Sequence, residues 1–421
     1  MGEGRLSMGR PLSIGILHYS CPPVVGGVEE LLKQHAYNLV RLGHDVSVLA
    51  GMGEVFSEEF SVQVEPVLGS KYPQVQKAHA EADKGNFRPL KRITGRILTI
   101  LERWTEKLDV IIAHNVLQMP FNLPFTLALR RYAAAKTGVP VVSWAHDSPY
   151  FQEAVPEHLE RFPWNVLRRP HPSINYVTIS ESRRELFLNH EPRVHWEVIP
   201  NGIDPVTFFY LDPRSVRLAE ELDLFNRDLV IVQPSRITPR KNLELSIHIV
   251  RGIKLLGYNV LFILTGAYDP HEARAVSYYR RLRYWINELN LRDNIAILAE
   301  YRFRDRTKLI PDRIFIRDMY LMADLLLMTS KDEGFGLPIL EAGMIKLPIA
   351  CSDIPPFKEI GEDVCFFKPT DPPLFTAGRI VEYLARTNTH KMFRKVMRRY
   401  VLDTVCKNYL VPYLHRVVEG H

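Results

Sequence analysis

Paired cysteines, paired aspartates and long apolar runs are all scarce in this sequence, and each scarcity excludes something. Its 421 residues include only four cysteines. Cys21, Cys351, Cys365 and Cys406 form no Cys-x-x-Cys pair and no zinc spacing, so a disulfide framework and a zinc module are both unexpected. They read as reduced thiols of a cytoplasmic protein. No stretch approaches the roughly 18 apolar residues of a membrane span. The start, MGEGRLSMGRPLSIGIL, has no long apolar region ending in a small-residue cleavage site. Any membrane contact is therefore expected to be peripheral. Gly-x-Ser-x-Gly, a Walker loop and His-Glu-x-x-His are missing, and with them three common kinds of catalytic machinery. Asp-x-Asp occurs nowhere in the chain.

The composition is 46% hydrophobic and 24% charged, that of a globular chain. At this length one core is too few, and two domains are expected. The formal net charge of +6 fits an acidic ligand, an anionic surface or a nucleic acid, and decides nothing alone. Short apolar runs alternate with amphipathic segments. SIGILHYS, DVSVLAG, LDVIIAH, PVVSWAH and NYVTIS read as buried strands in the first half, and DLVIVQPS, NVLFILTG, NIAILAE, DLLLMTS and LPIACS in the second. Such alternation predicts parallel sheets covered by helices, an α/β class with two doubly wound Rossmann-like domains. The spans expected are 1–205 for the first domain, 206–227 for a Pro- and Asp-rich linker, 228–385 for the second domain and 386–421 for terminal helices. A ligand is expected in a cleft at the carboxyl ends of the strands.

Four places carry candidate chemistry. In CPPVVGGVEE, Gly26 and Gly27 could bring backbone N–H groups close to a phosphate or sugar, or simply make a tight strand-to-helix turn. In SRITPRKN, Arg236 follows a strand end and Lys241 precedes a helix, a pairing able to grip a diphosphate. In EGFGLPILE, Gly334, Phe335 and Gly336 precede Pro338 at a helix start, so the loop amides form an anion site. Glu333 and Glu341 would repel a bare phosphate there, but suit a ligand that also donates hydroxyls, such as a nucleotide sugar. His146 stands at the carboxyl end of VVSWAHD, where such a domain puts its functional groups. With no Asp-x-Asp, a leaving diphosphate would have to be neutralised by Arg, Lys and helix N-termini, so no metal is expected. The basic segment 88–104 places Leu90, Ile93, Ile97, Leu101 and Trp104 on one face and reads first as an ordinary amphipathic helix, second as a membrane-surface helix. RRLRYW and RKVMRR lack a nucleic-acid motif and read as solvated helix faces.

Taken in order, PPVVGGVEE, SWAHD, VTISES, VIPNGID, SRITPRKN, LTG, MADLLLMTSKDEGFGLPILEAG and SDIPPFKEI resemble the retaining glycosyltransferases of family 4, which have the GT-B fold. The resemblance implies that Glu333 binds donor-sugar hydroxyls and Glu341 the ribose of the nucleotide. It implies that Arg236, Lys241 and the amides of Gly334, Phe335, Gly336 and Leu337 hold the diphosphate. Gly26 and Gly27 would approach the donor phosphate, Gly266 of LTG would line the donor site, and His146 would lie near the sugar and acceptor. The C-terminal helix would cross back to the N-terminal domain. Three departures stand out: Ser235 and Ala267 where Gly is common, and Pro355-Pro356 in place of Gly-Gly. The expected reaction moves a hexose from a nucleoside-diphosphate sugar, of GDP-mannose or UDP-glucose type, to a hydroxyl acceptor with retention by front-side attack. No cofactor beyond that donor and no nucleic-acid partner are expected. A sugar-nucleotide epimerase or phosphorylase on a related fold, and a non-catalytic sugar or nucleic-acid binder, are the competing readings.

Overall fold

The structure, a computed structural model, describes residues 10–135, 138–152, 154–266 and 273–421. The chain divides into two compact units, 1–204 with 402–421, and 205–401.

The first unit is built on seven strands: β1 Ser13–His18, β2 Asp45–Ala50, β3 Ser61–Val64, β4 Val110–His114, β5 Val141–Ala145, β6 Ile174–Thr178 and β7 Trp196–Val198. They lie in the order β3-β2-β1-β4-β5-β6-β7, and every pairing is parallel. β4 and β5 are buried at every position, as the apolar runs VIIAH and VVSWA require of strands covered on both faces. The second unit holds β8 Leu229–Gln233, β9 Val260–Leu264, β10 Ile295–Ile297, β11 Leu325–Met328, β12 Ile349–Ser352 and β13 Cys365–Phe367, in the order β10-β9-β8-β11-β12-β13, again all parallel. These are two doubly wound Rossmann-like domains. In each, strand order reverses at one place, between β1 and β4 and between β8 and β11. Open sheets of this kind bind ligands just beyond the strand ends at that switch point.

The expected linker at 206–227 is a folded part of the second unit. Its helix Pro213–Glu221 buries Leu218 and Ala219, and Leu224 follows them into the same core. Residues 386–401 also stay with the second unit. From Leu402 onward, Val405, Cys406, Leu410 and Leu414 pack with Ile14, Ile16, Val46 and Val48 of the first.

In the helix Arg88–Trp104, Leu90, Ile93, Ile97 and Leu101 are buried in the first unit. Each such side chain contributes about 1.5–3 kcal/mol where it is, so this apolar face serves the core and is not available to a bilayer. No helix among the described residues is long and apolar enough to cross a membrane. All four cysteines are buried free thiols.

Candidate active site

In the second unit the loops after β8 and β11 meet. β8 ends at Gln233, and the chain runs through Ser235 and Arg236 to a single turn at Pro239–Lys241. Asn242 then takes left-handed geometry (φ 51°) and caps the helix Leu243–Leu255. A buried polar cluster fixes this path. Ser246 Oγ donates to Gln233 Oε1 at 2.6 Å and lies 2.7 Å from Thr329 Oγ1. The Thr329 hydroxyl in turn reaches the carbonyls of Lys241 and Asn242 at 3.0 and 3.1 Å. The Lys331 N–H donates to the Arg240 carbonyl at 2.9 Å, which stitches the two loops together.

Gly266, at the end of the next strand's turn, presses directly on this path. A Cβ there would overlap the Ser235 carbonyl, so only glycine lets the two backbones approach. Ser235 itself is tolerated, its side chain buried beside that contact. Ala267 lies outside the described residues.

The loop after β11 brings the two expected groups together. Glu333 accepts from Ser330 Oγ at 2.7 Å, forms an ion pair with Lys241 Nζ, and faces Arg240 Nη1 at 3.7 Å. Lys241 and Glu333 are nearly buried, at 13% and 9% side-chain exposure, whereas Arg236 is exposed. The guanidinium of Arg236 is thus the more accessible cation. Gly336 is the N-cap of the helix Leu337–Met344 with φ 111°, a conformation that excludes a side chain. Pro338 sits at the second helical position, one later than the pattern suggests. Gly334, Phe335 and Leu337 are exposed around the helix N-terminus, whose free N–H groups suit an anion. One helical turn on, Glu341 accepts from Tyr320 OH at 2.7 Å and lines a groove of about 610 Å³ with Arg313, Arg317 and Met344. Pro355 and Pro356 open the short helix Pro355–Ile360, where their missing N–H groups cost nothing.

In the first unit, His146 follows β5 directly. Its backbone N–H, and that of Asp147, donate to Asn115 Oδ1 at 3.1 and 3.4 Å. Asn115 follows β4 in left-handed geometry (φ 51°), a role that its sequence context does not announce. The His146 ring is surrounded by His114, His35 and His18. Its ring centroid is 6.0 Å from that of His114, which is 5.3 Å from that of His35. Burial first, and then nearby His18, push the His146 imidazole down to about 4. His35 falls to about 3 and His114 well below its ordinary value, burial leading in both. Among the described residues no group of three or more His, Cys, Asp and Glu could hold a metal ion. Gly26 and Gly27 stand at the start of the helix Gly27–Arg41, beyond β1. The same helix buries Leu31, Leu32, His35 and Leu39, the face that the sequence pattern marks.

Both switch points therefore carry the residues singled out from sequence. The pattern described as "Glycosyltransferase Family 4" matches residues 25–207, and that described as "Glycosyl transferases group 1" matches residues 217–393. The first covers the histidine-lined unit and the second the Lys241–Glu333 unit. The chain belongs to glycosyltransferase family 4. Its similarity to individual family members is distant. Mannosylglucosylglycerate synthase of Petrotoga mobilis is 24% identical over 273 residues, 60% of this chain and 61% of that one. The Thermotoga maritima protein of the same name is 22% identical over 382 residues, 82% of each. The serotype-specific mannosyltransferase WbdA of Escherichia coli is 38% identical over 71 residues, 17% of this chain and 9% of its own. The family 4 chain thus spans less than two thirds of the length of the first of these and a small part of the third.

Gln233, Ser246, Thr329 and Asn115 are the site residues that sequence reasoning missed. The signal available was a polar residue closing an otherwise apolar strand, as in VIVQ and LLMTS.

Proposed function

We propose that this chain transfers a hexose from a nucleoside-diphosphate sugar to an acceptor hydroxyl, with retention of anomeric configuration and without a divalent metal. The observation that carries the reading is the second unit's switch point. Exposed Arg236, the Lys241–Glu333 pair and a glycine-capped helix N-terminus converge there on loops that Gly266 and Thr329 hold in close register.

Each element has a task in that reaction. Departure of the nucleoside diphosphate builds negative charge on its β-phosphate. Arg236, Lys241 and the N–H groups at the start of Leu337–Met344 oppose that charge. Glu333, already holding Lys241 and Ser330, has a second carboxylate oxygen for sugar hydroxyls. Glu341, steadied by Tyr320, takes the ribose. In the first unit, a histidine held near 4 stays neutral at pH 7 and can hydrogen-bond a hydroxyl without drawing a second anion. In front-side attack the departing phosphate takes the acceptor proton, so no separate strong base is required. Relatives named for mannosyl transfer favour a mannosyl donor.

A thermal-shift screen of GDP- and UDP-sugars tests the donor. A ligand at 100 times its dissociation constant should add about 2.7 kcal/mol of stability. Transfer assays of the stabilising donor, with and without EDTA and with NMR of the product's anomeric proton, test the rest. Inversion, or activity that EDTA abolishes and manganese restores, would refute the respective part.

A further inference from the structure

β1 ends at His18, and the loop it feeds carries Ser20, Cys21 and Gly26 before the helix Gly27–Arg41. Glu29 lies in that helix's first turn, and its side chain folds back under the loop. One carboxylate oxygen accepts a hydrogen bond from Ser20 Oγ at 2.5 Å and lies 3.8 Å from His18 Nε2. The other fills the space beside Gly26, where a Cβ would overlap it. Gly26 has φ −171° and ψ 159°, extended backbone that any residue adopts. Conformation therefore does not require glycine at 26. What a Cβ there would displace is the Glu29 carboxylate, the far end of a flexible side chain. Around Gly27, by contrast, a Cβ would find open space.

His18 is fixed from its other side. Its Nδ1 lies 2.7 Å from the His114 carbonyl oxygen, which can only accept. That assigns the proton to Nδ1 and turns Nε2 toward Glu29. The groups around this pair come from every neighbouring element: Tyr19, whose ring centroid is 5.2 Å from that of His18, His35 on the helix, His114 on β4 and His146 after β5. Cys21, in the same loop, has its thiol pushed up by burial and, less, by Glu29. Burial disfavours a charged His18, while the His114 carbonyl and Glu29 oppose that.

We propose that Glu29 is a positioning residue for transfer: with Ser20 it fastens the Gly26–Gly27 loop to the end of β1 and sets its charge against His18 Nε2 in the cluster that contains His146. The proposal rests on the transferase reading of this site. Its physical content is that one carboxylate ties down a loop and places a negative charge against an imidazole. Loss of the carboxylate frees the loop, and misplacement by about 1 Å at a reacting site can cost up to about 100-fold.

Two measurements test it. The first is a double-mutant cycle on kcat/KM with Gly26→Ala, Glu29→Ala and the pair. Gly26→Ala should be strongly impaired in the presence of Glu29, and the added methyl should cost little once Glu29 is Ala. Losses that simply multiply would show that Gly26 serves the donor alone, and would overturn the proposal. The second follows the His18 and His146 ring protons by NMR across pH in Glu29→Gln, which keeps size and the Ser20 contact. The His18 midpoint should fall by about one unit when the opposite charge is removed, with kcat/KM largely rescued relative to Glu29→Ala. An unmoved midpoint would overturn the proposal. Because the titration needs no substrate, it decides the role of Glu29 even where no donor supports transfer, a result that would refute the proposed function instead.

Discussion

Both sheets reverse strand order once, at β1/β4 and at β8/β11, yet the groups gathered at the two switch points differ in charge. The first collects His18, His35, His114 and His146, imidazoles that burial keeps neutral. The second collects Arg236, Arg240, Lys241 and Glu333, three cationic side chains and a carboxylate. One topology thus supplies two sites of different polarity, and the loops decide which. A site for a diphosphate needs cations that stay charged, and Arg and Lys provide them. A site for a hydroxyl needs hydrogen-bonding groups that do not attract a competing anion, and neutral histidine suits it.

The largest effect expected from this contrast is a difference in acid stability. His146 sits at about 4 in the folded chain and His35 at about 3, against about 6.5 for an unfolded histidine. Below pH 6.5 the unfolded state binds more protons, so the contribution is full above pH 6.5 and drains away as pH falls toward 4. His146 alone accounts for about 3 kcal/mol. In the second unit His248 shifts the same way, but the shifted acids are Asp212, Asp305 and Asp312, Asp305 being held low first by its hydrogen bond from Arg217. Asp212 is held low first by its hydrogen bond from Arg214, Asp312 first by the Phe315 N–H. What they contribute is lost only as pH falls below about 4. Hydrogen exchange read by mass spectrometry between pH 7 and 4 should show the first unit opening at higher pH than the second. Simultaneous opening would break the comparison.

Next in size are the cations. Arg236→Ala should lower kcat by about 10²–10³, the usual loss when one charge-stabilising donor is removed. Its melting temperature should not move, because the side chain is exposed. Lys241→Ala should lose as much activity and also stability, about 1–3 kcal/mol, because Glu333 is left nearly buried without its partner. Steady-state kinetics beside calorimetry separate the two. Equal stability of both variants would mean that the Lys241–Glu333 pair is not held in solution.

Much of this was readable before any coordinates. The ten apolar runs became ten strands because a parallel sheet buried on both faces demands continuous apolar sequence. β3, β7 and β13 escaped notice. They are edge strands of three or four residues, too short to stand out, and SVQV and WEV are only partly buried. The stretch 206–227 misled through its proline and aspartate content. Pro213 and Asp212 there are a helix start and its cap, with Asp212 accepting from the Arg214 N–H. At the site, residue types were legible and pairings were not. Nothing in SRITPRKN or EGFGLPILE says that Lys241 and Glu333 neutralise each other, since that depends on Thr329 and Lys331 drawing the two loops together.

The smallest expected effect separates the two glutamates. Glu333 is nearly buried, with Lys241, Ser330 and Arg240 around it, and its proposed partners are sugar hydroxyls that move as the anomeric carbon reacts. Glu333→Gln should therefore lower kcat, by about 10-fold or more, and loosen discrimination between sugars differing at one hydroxyl. Glu341 is exposed, anchored by the single hydrogen bond from Tyr320, and its proposed partner is a ribose that stays still. Glu341→Gln keeps size and an acceptor oxygen, so it should raise the donor KM by a few-fold at constant kcat, the signature of uniform binding lost. Its stability should change by no more than about 0.5 kcal/mol, as for other surface substitutions. Tyr320→Phe removes the anchor without touching the carboxylate. It should raise the donor KM in the same way, and the two substitutions together should cost less than the product of their separate effects. Donor-dependence curves for the three variants check this. A fall in kcat for Glu341→Gln, or full additivity with Tyr320→Phe, would show that Glu341 does not hold the still half of the donor.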